Sequence, residues 1–183
     1  ATPKHLNRVR DYLASHFILI SDIDLSEQDL SKESWYSLDY GWFPIGDSSS
    51  PFLGTFDGQN HKIMNLTISA RNFDENGLFG TAGGWEATQK STIKGVIIEQ
   101  CNIVGGGNTG SLAGINNGLI DNCSSSGLVS GLGNTGGFVG NNIGSITNSL
   151  CSVTTKGLKT GGFVGINQNF IKNCRASGLV SGE

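Results

Sequence analysis

Three stretches of the chain superimpose glycine on glycine. Gly110-Ser-Leu112-Ala-Gly114-Ile-Asn-Asn-Gly118-Leu-Ile120-Asp-Asn122-Cys123 recurs 26 residues later as Gly136-Gly-Phe138-Val-Gly140-Asn-Asn-Ile-Gly144-Ser-Ile146-Thr-Asn148-Ser149. It recurs after 25 more as Gly161-Gly-Phe163-Val-Gly165-Ile-Asn-Gln-Asn169-Phe-Ile171-Lys-Asn173-Cys174. Weaker copies run from Gly77-Leu-Phe-Gly80 to Ile93 and through Ile63 to Ile68. A period of this length means that each unit buries its apolar face only by stacking on its neighbours. Helical repeats are excluded, because each unit carries four or more glycines and each costs about 1 kcal/mol in a helix. The LxxLxL frame of leucine-rich repeats is absent. Calcium-binding nonapeptide repeats need an aspartate in every unit, and Asp121 is the one aspartate in 104–183. Short strands separated by glycine turns remain, stacked coil on coil at about 4.8 Å. The expected fold is all-β, a right-handed parallel β-helix of four to five coils.

Side-chain parity sharpens this. Ile120 and Asn122 share one phase of the strand alternation, whereas Cys123, Ser125 and Val129 share the other. The switch falls at Asn-Cys, and again at Asn148-Ser149 and Asn173-Cys174. A switch at a fixed point in each unit marks a corner. Asn tolerates the left-handed backbone of a corner and bonds to an Asn stacked on it. Asn122, Asn148 and Asn173 are thus expected to form a ladder, with Cys123, Ser149, Cys174, Ser125, Cys151 and Ala176 filling a narrow interior.

Glycine makes up 28 of 183 residues and charged residues 15%. Such a composition suits disorder, but a linker has no use for fixed apolar spacing. The net charge of −3 and scattered Lys and Arg argue against nucleic-acid binding. No apolar run reaches the roughly 18–20 residues of a membrane span. The chain opens at Ala1 without a signal peptide and stops at Glu183 within a repeat, so it reads as a piece of a longer protein.

Ahead of the repeats, 1–15 reads as a helix, with Thr2 as N-cap, Pro3 in its first turn and Leu6, Val9 and Leu13 on one face. Phe17–Ile20 and Ile23/Leu25 read as strands with Asp22 and Asp24 turned outward. Residues 26–51 read as a loop whose Trp35, Tyr36, Tyr40, Trp42 and Phe43 plug one end of the rod. Residues 1–55 thus form a helix, strands and cap, and 56–183 the repeats.

Candidate chemistry is sparse. Cys101, Cys123, Cys151 and Cys174 lack CxxC spacing and read as small buried filler. Cys123 and Cys151 form the one marginal pair. His5, His16 and His61 are dispersed without zinc spacing, and His61 is expected to pair with Asp57 across the Asp57-Gly58 turn. Asp22, Asp24 and Asp29 lack a calcium frame and read as solvated polarity. The glycosylation patterns Asn65-Leu-Thr67 and Asn122-Cys-Ser124 read as coincidence. No catalytic or metal-ligating residue, no cofactor and no particular binding residue is identified.

Leu78-Phe-Gly80, Leu112-Ala-Gly114, Phe138-Val-Gly140 and Phe163-Val-Gly165, each followed by Gly/Asn-x-Ile-x-Asn-Cys/Ser, resemble GLUG repeats. The leader (Ile18 to Leu25, Trp42-Phe-Pro-Ile-Gly46, and Pro51 to Ile63) is similar to the segment that often precedes them. The resemblance covers about 16–183 and is specific as a combination; Asn169, in place of a repeat glycine, departs from it. It implies a non-catalytic stalk or passenger of a large secreted or surface-attached bacterial protein. Such proteins include filamentous-haemagglutinin-like adhesins and immunoglobulin A1-specific metalloendopeptidases. The expected partner is a host surface protein or glycan, the location extracellular or cell-surface, and the fragment a monomer. The rivals are the accessory region of an immunoglobulin-cleaving metalloprotease, a pure spacer, and a polysaccharide-active enzyme, which a facing acid pair about 5–10 Å apart on the outer wall would mark.

Overall fold

The computed structural model describes residues 1–26, 36–37, 39–86 and 88–182. Three parallel sheets dominate it. The first stacks His16–Ile18, Thr55–Asp57, Thr92–Lys94, Leu119–Asp121, Ser145–Thr147 and Phe170–Lys172. Their central residues fall in one column, Phe17, Phe56, Ile93, Ile120, Ile146 and Ile171. The second holds the long strands Ile97–Gly105, Ser124–Gly136 and Leu150–Gly161. The third stacks Phe79–Ala82, Ala113–Asn116, Val139–Asn142 and Val164–Asn167. From Thr92 onward the chain visits first, second and third sheet in turn and then returns to the first. Each return lands in register on the previous pass, Ile120 beside Ile146 and Ile146 beside Ile171.

This order follows from burial. Every pass sends one apolar side chain inward from the first sheet, and Phe56, Ile93, Ile120 and Ile146 are all essentially buried. Each contributes about 1.5–3 kcal/mol by leaving water. A second column, Leu78, Leu112 and Phe138, is equally buried at the entry to the third sheet. There Phe138 stacks on Phe163 at 5.1 Å. Backbone bonds run through this column as well, Leu112 N to Phe138 O and Phe138 N to Phe163 O. Cys123, Ser149, Ser125 and Cys151 are buried as expected; Cys174 and Ala176, on the last pass, are not.

The helix is shorter than its pattern. Pro3–Asn7 is α-helical with Thr2 as its cap, and Arg8–Asp11 continues as a 3-10 turn. Beyond that, the Leu13 carbonyl accepts from Leu53 and Gly54 N–H, which draws the chain into the layer above. The expected loop at 26–51 contains a hairpin, Tyr36–Ser37 antiparallel to Gly41–Trp42, with Gly41 antiparallel to Ile68. Of its aromatics, Trp42 enters the core, Tyr40 and Phe43 pack outside against Phe73, and Trp35 lies outside the described residues.

The repeat glycines were expected in turns, but Gly114, Gly140 and Gly165 sit within strands of the third sheet. The left-handed corner positions are held by Asn122, Asn148 and Asn173, with φ of 50°, 50° and 55°. Their ladder is only partly continuous. Asn173 Nδ2 donates to Asn148 Oδ1 at 3.2 Å, but Asn148 Nδ2 turns to Asp121 Oδ1 at 2.8 Å. Asn122 Nδ2, facing a coil whose corner is Gly95, donates to Asn60 Oδ1. A carboxylate outcompetes an amide oxygen as acceptor, and Gly95 offers none.

Candidate functional site

Three segments far apart in sequence meet in a cleft of about 620 Å³. The 3-10 turn supplies Arg10, the 43–50 segment supplies Phe43, Pro44 and Asp47, and the 71–75 turn supplies Phe73, Asp74 and Glu75. Each is held from behind. Ile45 and Phe52 bridge to Phe79 and Ala82 of the third sheet, which pins the ends of the 45–52 turn. Inside that turn Asp47 Oδ1 accepts from Ser49 and Ser50 N–H at 2.8 and 2.7 Å. Gly46 has φ +69°, and a Cβ there would lie 2.7 Å from Phe52 N. The 71–75 turn is clamped to the next layer, with Gly107 N donating to Phe73 O and Asn108 N to Asp74 O.

The floor is aromatic. Phe43 and Phe73 stack at 5.8 Å, and Tyr40 tilts against Phe73 at 5.7 Å. Arg10 lies over the Trp42 ring at 5.1 Å and donates to the carbonyls of Asn7, Pro44 and Phe43. Its burial pushes its pKa down, partly offset by Asp11. Arg10 therefore splints the cleft wall. On the rim, the Ser48 hydroxyl donates to Glu75 Oε1.

The residues singled out in the sequence lie elsewhere. His61 pairs with Asp22 at 3.1 Å, because the previous layer brings Asp22 beside it; Asp57 instead meets Lys94 at 2.9 Å. The Lys62 N–H is the main cause of Asp22's lowered pKa, with His61 adding to it. Asp24 accepts from Asn65 Nδ2 and Ser26 N, and Asp29 lies outside the described residues. Among the described residues no group of three or more His, Cys, Asp or Glu is placed to hold a metal. His5 bonds Thr2, and His16 is exposed at the start of a strand. The amide nitrogens of Asn65 and Asn122, the glycosylation candidates, are both hydrogen-bond donors within the stack.

On the outer wall of the first sheet, Asp57, Lys94 and Asp121 occupy successive strands. The two carboxylates are two strand spacings apart, roughly 9–10 Å, with Lys94 between them. Asp121 also accepts from Thr147 and Asn148, which lower its pKa. This is a charge ladder along the stack, with Lys94 bound to Asp57.

All four cysteines are free. Burial raises the Cys101 and Cys123 thiols to about 12 and raises Cys151 as well, so these three are poor nucleophiles near neutral pH. A thiol reagent is expected to modify one equivalent rapidly in the folded protein, at half-buried Cys174, and four in denaturant. Fast modification of three or four in the folded state would contradict this packing.

The class these features define is an all-β chain of stacked parallel strands with a short N-terminal helix. No family model matches it. Over 116 residues, 62% of its length, it is 36% identical to halomucin of Haloquadratum walsbyi, and that stretch is 1% of halomucin. Among solved structures it is loosely similar to a crystal structure provisionally assigned as an immunoglobulin A1 protease of Bacteroides ovatus. There the TM-score is 0.45 at 16% identity, covering 99% of this chain and 81% of the other. No described helix is long and apolar enough to cross a membrane.

Proposed function

We propose that the chain is a right-handed parallel β-helical segment of GLUG-type repeats within a large secreted or cell-surface protein. Its role is non-catalytic, in adhesion or surface recognition of host. The carrying observation is the cyclic order of the three sheets with in-register return every 25 to 27 residues from Thr92 onward. Right-handedness rests on the crossover rule for parallel strands, obeyed in about 98% of cases. Residues 1–55 close one end, and 56–183 form the rod.

The likeness to a short stretch of a very long protein supports the reading of a segment. The cleft supports recognition over catalysis. Asp47 and Glu75 already spend carboxylate oxygens on Ser49, Ser50 and Ser48, and Asp57 and Asp121 are occupied by Lys94, Thr147 and Asn148. Antibody against this segment is expected to label intact cells producing the parent protein, or their medium. Labelling that requires permeabilised cells would overturn the location. An HExxH motif in the parent reading frame would move the assignment to the accessory region of a metalloendopeptidase.

A further inference from the structure

We infer that the cleft lined by Arg10, Phe43, Asp47, Phe73, Asp74 and Glu75 binds an uncharged or amino sugar residue and rejects anionic ones. This rests on the recognition role proposed above and names the ligand class.

The argument begins with the floor. The half-buried rings of Phe43 and Phe73, packed on each other, with Leu13 and Pro44 beside them, offer an apolar surface. A pyranose presents C–H faces that lie on such a surface, and hydroxyls around its edge. The rim answers the edge. Asp74 and the second oxygens of Asp47 and Glu75 leave acceptors there, so the matching ligand is rich in O–H or N–H donors. A wholly apolar occupant would strip those carboxylates of water without replacing the bonds. The cleft's size lies within the roughly 300–1,000 Å³ of small-ligand sites.

Charge sets the selectivity. Three carboxylates face one guanidinium, and Arg10 is directed at the Phe43 and Pro44 carbonyls and the Trp42 ring. The field in the cleft is therefore negative. A sugar carboxylate, sulfate or phosphate meets repulsion there with no facing donor cation, whereas an ammonium is drawn in.

The test uses the whole 183-residue chain with glucose, glucosamine, glucuronic acid and trilysine as probes, read by saturation-transfer NMR and calorimetry. Glucosamine is expected to bind best, glucose next, and glucuronic acid at least about tenfold more weakly than glucosamine. Phe73→Ala is expected to cut sugar affinity about tenfold, the scale of one aromatic contact. Asp74→Lys, at an exposed position, leaves the core intact and should bring glucuronic acid level with glucosamine or above it. Saturation of no sugar, equal binding of glucuronic acid by the unaltered chain, binding of trilysine alone, or an unchanged preference in Asp74→Lys would overturn the inference. Surface labelling without sugar binding defeats the cleft and leaves the location standing; sugar binding without surface labelling does the reverse.

Discussion

Gly140→Ala is expected to destabilise the fold by about 3 kcal/mol, the upper end of the usual overpacking range. In a chain this size that lowers Tm by roughly 6–12 °C. Gly140 lies in a strand of the third sheet. A Cβ there would sit 2.5 Å from Thr109 N, 2.7 Å from Gly114 O and 2.8 Å from Asn108 C. All three are backbone atoms, so no side chain can swing aside. Two belong to the 108–109 segment of the second sheet and one to the strand stacked below, so relief requires moving one wall or parting two layers. Gly114 and Gly165 repeat the arrangement against Asn76 N and Thr135 N, each at 2.8 Å. The control is Gly162→Ala, whose nearest neighbours are Val180 Cγ2 at 3.1 Å and Ala176 Cβ at 3.8 Å, both side-chain atoms. It is expected to change stability by less than about 1 kcal/mol, in either direction. Urea and thermal unfolding of both variants check this. A Gly140→Ala protein that melts with the parent would show that the walls do not touch there.

That pair also shows what the sequence conveys. Spacing alone identifies the stacking unit, because Ile120, Ile146 and Ile171 have no way to be buried except on top of one another. It does not say why a glycine is present. A glycine needed for left-handed backbone and one needed because another wall is in contact look identical in a repeat. At the corners Asn122, Asn148 and Asn173 take the first role, and in the third sheet Gly114, Gly140 and Gly165 take the second. Local reasoning fails for the same cause at His61: Asp57 is four residues away, but Asp22 stands directly beside it in the adjoining layer. The cleft is harder still, since Arg10, Asp47 and Asp74 belong to no motif and meet only once 45–52 is anchored to the third sheet. Its aromatic floor was visible in composition as a cluster around Trp42, yet Phe73 comes from the next layer. The ladder of Asn116, Asn142 and Asn167 was legible, occupying one column of all three repeats. No parity switch marks it, so spacing does not single it out as a corner does.

That second ladder carries the other large expected effect. Asn116 Nδ2 donates to Asn142 Oδ1 at 2.8 Å, and Asn142 Nδ2 to Asn167 Oδ1 at 2.7 Å. Asn116 and Asn142 are fully buried. Asn142→Ala removes an acceptor and a donor at once, leaving Asn116 Nδ2 with only a long 3.4 Å contact to Ser145 O, while Asn116 Oδ1 keeps the Gly118 N–H. An unmet buried polar group costs about 1–3 kcal/mol; Asn116 Nδ2 is the buried one, since Asn167 is exposed, so a loss of roughly 1–3 kcal/mol is expected. Asn122→Gly, at an exposed corner whose φ of 50° glycine adopts freely, should lose about 1 kcal/mol or less. Asn142→Asp separates hydrogen bonding from packing, since the shape is kept. Ionised, the new carboxylate still accepts from Asn116 but faces Asn167 Oδ1 with no proton to share, and burial disfavours its charge. Its folded pKa is therefore raised above the unfolded value near 3.9. The variant should approach the parent's stability below about pH 4, where the protonated acid donates to Asn167. It should fall behind as pH rises from there through the folded pKa. Measuring both proteins by urea unfolding from pH 4 to 8, and taking their difference at each pH, cancels the acid loss that Asp121 imposes on both. A difference that stays flat across that range would mean that Asn142 does not bridge its neighbours.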